Sequence, residues 1–202
     1  MIILKIKGKK GQFFKIFAND EFLGFFSKNS IKNLKIKNNK EYSIEEVKKI
    51  KIIGQFKYAE KKAIDLLRIK DYSEKELFLK LEKYVPSKIA KFVVLKMKKL
   101  GFVNNLKYAE NLAKKLIFVK NKSKQFAKFE IIKKGINKEI AEKVLDSLNF
   151  NSVEILEKLI IKKYIHKIKD FNSKQKAISN ILKLGYSLEE TSHAFKNLNL
   201  NF

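Results

Sequence analysis

Apolar positions recur along this chain with two different periods. Near the start, Ile2, Leu4 and Ile6 alternate with Ile3 and with lysines, the period-two pattern of a half-buried strand. Gly8-Lys9-Lys10-Gly11 reads as a hairpin turn, Gln12–Phe17 as a second strand, Asn19-Asp20 as a second turn and Glu21–Phe26 as a third strand. Ser27 or Ser30 is placed to cap a short helical turn through Leu34, and Ile36 falls in a connecting segment. At Ser43-Ile44-Glu45-Glu46 the grammar changes to that of a helix. This is a capping box: the serine hydroxyl accepts from a free backbone N–H, and Glu46 reaches back to another. The helix is expected to run to about Ile53, with Gly54 separating a small α+β unit from a helical array.

From Phe56 onward the period is helical, and the pattern repeats. Tyr58, Ala59, Ala63, Leu66 and Leu67 share one helical face; Asp71-Tyr72 breaks it. Ser73-Glu74-Lys75-Glu76 is a second capping box, with Leu77, Leu81 and Tyr84 at helical spacing behind it. Pro86-Ser87 opens a third helix whose stripe is Ile89, Val93, Met97 and Leu100, ended by Gly101 in a left-handed cap position. Fifty residues on, Tyr108-Ala109-Glu110 copies Tyr58-Ala59-Glu60, and Ser123 stands where Ser73 stood, with Ser173 fifty residues further again. Tyr108, Ala109, Leu112 and Leu116 mark the first helix of this second unit. Ser123 caps a helix with Phe126, Ala127, Ile131 and Ile132, closed by Gly135. Asn137 caps a third with Ile140, Val144, Leu145 and Leu148. In the third unit Ile155, Leu156, Leu159 and Ile160 come first. Ala177, Ile178, Ile181 and Leu182 follow Ser173 and end at Gly185. Ser187-Leu188-Glu189-Glu190 is a further capping box ahead of Ala194, Phe195 and Leu198. A fixed period of this length marks a repeat protein. The expected architecture is mainly α: a small α+β N-terminal domain (1–54), then three tandem three-helix repeats over 55–102, 103–150 and 151–202. Each unit is too short to bury its stripe alone, so neighbours must stack to remove it from water, at about 25 cal/mol per Å².

Charge adds a partner class to this picture. Among 202 residues, 46 are basic and 21 acidic, for a formal net charge of +25. The excess is spread through all four segments and is not held in a tail, which points to a polyanionic partner, nucleic acid above all. The competing explanation is compositional: Arg68 is the single arginine, and lysine, asparagine, isoleucine and phenylalanine abound, as an A/T-rich genome would give. The apolar fraction of 45% suffices for a core. No run is long enough to span a membrane, and the lysine-punctuated start lacks the apolar stretch of a signal peptide. The chain has no cysteine, so no disulfide framework is expected. A soluble, cytoplasmic protein is the simplest reading.

Catalytic chemistry finds no footing. Gly8-Lys9-Lys10-Gly11 is a turn and not a phosphate loop; HExxH, GxSxG and Cys/His metal spacings are absent. His166 and His193 are isolated, whereas a metal site wants three or four converging donors. Acids such as Glu60 and Asp65 sit among lysines as salt-bridge partners. No enzyme, cofactor or metal is expected. The phenylalanines near the N-terminus — Phe13, Phe14, Phe17, Phe22, Phe25 and Phe26 — fit either a small-domain core or a base-stacking sheet surface.

One stretch carries a resemblance. Leu66-Leu67-Arg68-Ile69-Lys70-Asp71-Tyr72-Ser73-Glu74-Lys75-Glu76-Leu77 resembles the RecX family of recombinase regulators, in which a basic residue precedes Ser-Glu-x-Glu-Leu at the start of the second helix. Gly101-Phe102-Val103, then Tyr108-Ala109, match the family pattern. So do Lys133-Lys134-Gly135-Ile136 with Ile140, and Leu184-Gly185-Tyr186-Ser187. The likeness covers about residues 56–200, and the first 53 resemble the β-rich extension of some members. Asn104-Asn105 stand where the family has an acid, and lysines replace common arginines. Lysine meets phosphate as a point charge, without the bidentate fork.

The resemblance implies a curved array of nine helices. It also implies a monomer that binds the RecA recombinase filament on single-stranded DNA, with double-stranded DNA a further candidate. Such a regulator mainly inhibits ATPase and strand exchange in DNA repair, recombination and the SOS response. Basic residues beside the second helix of each repeat are then expected to line one face: Arg68, Lys70 and Lys75; Lys122, Lys124 and Lys128; Lys174 and Lys176. The alternative is a basic helical-repeat scaffold that binds nucleic acid with no recombinase partner.

Overall fold

The computed structural model describes residues 1–200, apart from the side chain of Lys10. It is mainly helical, with a small antiparallel sheet near the N-terminus. The chain divides into two compact units, Met1–Val103 and Asn104–Phe202.

The first unit opens with β1 (Ile2–Lys10), β2 (Phe13–Ala18) and β3 (Glu21–Ser27), the strands the alternation predicts. The first turn is later than expected. β1 runs through Gly8 with a register shift between Lys7 and Lys9, and the chain reverses at Gly11-Gln12. Gly8 at φ 59° supplies the bulge conformation and Gly11 at φ 60° the turn. Asn19 and Asp20, both at positive φ, make the second turn, and the Asn19 Oδ1 accepts from the Ile3 N–H at 2.9 Å. Ser27 caps α1 (Lys28–Asn33). A fourth strand, β4 (Lys40–Tyr42), was not expected from the sequence; it pairs with β1 through Ile2 and Tyr42 and gives the order β3-β2-β1-β4. Ile36, assigned to a connector, is buried with Leu4, Ile16, Phe26, Tyr42 and Val47 in the core on one face of this sheet.

The largest departure from expectation is α2 (Ile44–Leu67). The Ser43–Glu46 capping box opens it as predicted, but the helix neither ends at Ile53 nor breaks at Gly54. Gly54 is a close-approach residue: a Cβ built there would overlap the Phe26 ring. The glycine that read as a separator lets the helix lie against β3. The continuous helix crosses the expected boundary at residue 54 and carries Val47 and Ile50 into the sheet core, and Tyr58, Ala59 and Ala63 into the next one.

That second core is completed by α3 (Glu74–Leu81), capped by Ser73, and α4 (Ser87–Lys99). Leu77, Leu81, Val93 and Met97 are fully buried there. Tyr72, read only as an interruption, is buried among them. Between the helices Glu60 accepts from Lys57 at 3.0 Å and pairs with Lys96. Burial opposes its ionisation, but the two lysine hydrogen bonds outweigh this and hold the carboxyl below the usual range.

The second unit holds six α-helices among the described residues: α5 (Asn105–Lys114), α6 (Lys124–Lys133), α7 (Lys138–Ser147), α8 (Ser152–Lys163), α9 (Phe171–Leu182) and α10 (Leu188–Asn197). Between α5 and α6 lies a π-helical stretch, Lys115–Val119, and a 3₁₀ turn, Ile165–Lys167, comes after α8. Asn104, Ser123, Asn137 and Asn151 cap α5 to α8, and Ser187 caps α10 with its full box. Asp170 caps α9. Its carboxylate accepts from the Ser173 N–H at 2.7 Å, so the helix begins a turn before the serine. Gly101, Gly135 and Gly185 take the left-handed conformations that end α4, α6 and α9. One core gathers Ala109, Ile117, Ile131 and Leu145, the other Leu156, Ile160, Ile181 and Phe195. Leu100, Ile132 and Leu182, predicted on buried stripes, are instead exposed. Each sits within the last turn or at the end of its helix, where the stripe has left the core.

Candidate polyanion interface

The sequence proposes one face built from three sets of basic residues, and the structure treats each set differently. Arg68 ends α2 and Lys75 lies in the first turn of α3; both are exposed, and neither has an ion pair among the described residues. Lys70 lies 4.6 Å from the Tyr72 ring centroid, a cation–π contact. The cavity beside it is of mixed charge, lined by Lys70, Lys80 and Lys83 but also by Glu76 and Glu82.

The second set divides at Ser123. This residue is only 2% exposed. Its Oγ accepts from the Phe126 N–H at 3.1 Å and donates to the Gly185 carbonyl at 2.7 Å, while its own N–H donates to the Leu184 carbonyl at 3.1 Å. The helix start is thereby clamped to the turn after α9. Gly185 fits because it has no side chain: a Cβ would come within 2.7 Å of both Ser123 Oγ and Phe126 Cβ, and φ is 95°. On one side of the clamp, Lys124 pairs with Asp146 at 2.8 Å and Lys128 with Glu142 at 2.5 Å. The Lys128 hydrogen bond holds the Glu142 carboxyl below its ordinary range. Their cavity also contains Glu190, so the lysine charge there is answered.

Lys122 turns the other way. It lies 4.2 Å from the Phe126 ring and donates to the Lys183 carbonyl at 3.5 Å. This brings it into a groove of about 520 Å³ with Lys163, Lys167, Lys176 and Lys183, floored by Tyr164, Ala177 and Leu184. No carboxylate lines this groove, and none of the five lysines has an ion pair among the described residues. The nearest acid by its influence is Asp170, which feels Lys176 but is engaged in capping α9, where the Ser173 N–H lowers its pKa most. Five uncompensated cations in one concavity repel each other and concentrate positive potential. The arrangement suits a polyanion.

Of the third set, Lys176 joins this groove, whereas Lys174 packs back towards the Phe195 ring at 5.9 Å. The structure thus brings Lys122 and Lys176 together and directs Lys124, Lys128 and Lys174 elsewhere. Lys163, Lys167 and Lys183 were missed by sequence reasoning. The first two are four apart across the end of α8, away from the matched positions beside the second helices of the repeats. His166 and His193 are exposed, and no group of three or more metal-ligating side chains gathers among the described residues.

No family model matches the chain. A curated relative, the regulatory protein RecX of Streptococcus pneumoniae serotype 19F strain G54, is 26% identical over 200 residues, covering 98% of this chain and 77% of that one. The RecX of S. pneumoniae strain R6 aligns with the same identity and coverage. Among solved structures, a crystal structure of regulatory protein RecX superposes with a TM-score of 0.64 at 16% identity, covering 97% of this chain and 98% of that one. The RecX of Lactobacillus salivarius gives a TM-score of 0.56 at 22% identity, over 72% of this chain and 97% of that one.

Proposed function

The chain belongs to the RecX family, and we propose that it is a regulator that binds the RecA recombinase and its single-stranded DNA filament and chiefly inhibits ATPase and strand exchange. It would work in the cytoplasm, in DNA repair, recombination and the SOS response, as a monomer. In this reading 1–54 is an N-terminal domain, and 55–102, 103–150 and 151–202 are three-helix repeats in a curved array. The first repeat shares its opening helix, α2, with the sheet.

The observation that carries the reading is the lysine groove of the second unit, a cationic concavity without an acid in its lining. Arg68, Lys70, Lys75, Lys122 and Lys176 bring charge with no carboxylate partner among the described residues. Lys124 and Lys128 must first leave Asp146 and Glu142, and Lys174 must leave the Phe195 ring. The test is RecA ATPase and strand exchange with and without the protein, beside co-sedimentation with filaments at two salt concentrations. Inhibition at stoichiometric amounts is expected. Affinity for single strands should fall with salt at a slope of about −0.7 per phosphate contact. K163E/K167E should weaken filament binding far more than K124E/K128E. No effect on RecA at stoichiometric amounts overturns the reading. A pull-down that retains nucleic acid but never RecA favours a plain nucleic-acid scaffold.

A further inference from the structure

The first unit carries a line of aromatic rings that neither core uses fully. The sheet presents its core face to α1 and α2, with Leu4, Ile16 and Phe26 buried. On its other face Phe17 lies 5.5 Å from Phe22, and Phe22 lies 5.2 Å from Phe25. Phe25 stacks on Tyr58 of α2 at 5.0 Å with an interplanar angle of 27°, and Tyr58 meets Tyr84 edge-on at 6.4 Å. The middle of the line is anchored, since Tyr58 is 5% exposed, but Phe22 is 45% and Tyr84 54% exposed. The bulge that shifts register between Ile16 and Phe17 is what sets Phe22 and Phe25 beside each other on this face.

Lysines attend both ends. Lys7 lies 5.1 Å from the Phe17 centroid; Lys62 lies 5.6 Å from Tyr58 and 5.5 Å from Tyr84. The partly exposed Lys62 and the exposed Lys15 have no carboxylate partner among the described residues, whereas Lys5 and Lys7 share Asp20. Exposed aromatic rings among lysines complement a ligand with flat rings and negative charge in alternation. Single-stranded nucleic acid has that chemistry, while a duplex hides its base faces.

We propose that this aromatic line is a second, base-stacking site for single-stranded nucleic acid, with Phe22 and Tyr84 as platforms and Lys15 and Lys62 neutralising the flanking phosphates. The site lies wholly within the first unit. It adds base contact to the phosphate contact of the lysine groove, and it does not depend on a recombinase.

The test compares a fluorescein-labelled oligothymidylate with an abasic strand of equal length and charge, both bound to the full chain. The wild-type protein should prefer the base-bearing strand, by about tenfold for each base stacked. F22L/Y84L keeps apolar side chains and should erase the preference while leaving abasic binding unchanged. K163E/K167E should weaken both strands alike and keep the preference. The chain has no tryptophan, so F22W adds a lone reporter whose emission the oligothymidylate should quench at stoichiometric amounts; this also shows that the variant sheet is folded. Equal affinity for the two strands, no binding to either, or a preference that survives F22L/Y84L overturns the proposal. Loss of RecA inhibition with the preference intact would sink only the recombinase reading.

Discussion

Replacing Ser123 with alanine tests how one hydroxyl holds the second unit together. The Oγ accepts from the Phe126 N–H as the cap of α6 and donates to the Gly185 carbonyl as a cross-link to the turn after α9. Losing a cap costs about 1 kcal/mol. Leaving a shielded carbonyl without its donor costs about 1–3 kcal/mol more. S123A should therefore destabilise by about 2–4 kcal/mol. Ser187 supplies the control: it is exposed, and its Oγ accepts from the Glu190 N–H at 3.0 Å, a bond within its own helix start. S187A should cost about 1 kcal/mol. The assay is urea unfolding followed by circular dichroism at matched slopes, since a changed slope would mean that more than stability had moved. Equal losses for S123A and S187A, within about 0.5 kcal/mol, would refute the cross-link. The variant should also loosen the groove, because Lys122 precedes Ser123, and Lys183 and Leu184 precede the carbonyl it holds.

Two further perturbations read other parts of the structure. Gly54→Ala drives a methyl into the Phe26 ring; it should cost at least the roughly 1–3 kcal/mol of ordinary overpacking, and an unchanged thermal midpoint would show that α2 does not lie where described. Glu60, whose carboxyl is held below its unfolded value, stabilises the fold above the ordinary carboxylate range and loses that contribution as pH falls through its folded pKa. E60Q should therefore destabilise at neutral pH and show a shallower acid decline below about pH 4; parallel pH–stability curves for the two proteins would contradict this.

The chemistry legible in the sequence is the chemistry that neighbours along the chain decide. Ser43, Ser123, Asn137 and Ser187 cap helices as read, and the apolar stripes of α7 and α10, and that of α4 as far as Met97, reach the cores. Errors arose where a distant partner decides. Gly54 resembles a break until Phe26 is seen against it. β4 is three residues long and gains its identity from pairing with β1. The pairing of Lys124 and Lys128 is equally out of sight in the sequence: Asp146 and Glu142 lie on α7, and only the folded chain brings them to these lysines. Of the phenylalanines, Phe13 and Phe26 lie in cores, whereas Phe22 is exposed on the other face of the sheet.

The uninterrupted α2 bears on how the protein can be taken apart or have been assembled. A fragment beginning at Gln55 would start in mid-helix, stripped of the Ser43 cap and of the Phe13 and Phe25 rings that cover Tyr58. The β-rich segment is therefore no detachable appendage. An ancestor that gained or shed it would have needed a new helix start and a new lid for Tyr58 at the same step, which makes piecemeal loss of residues 1–54 an unfavourable route.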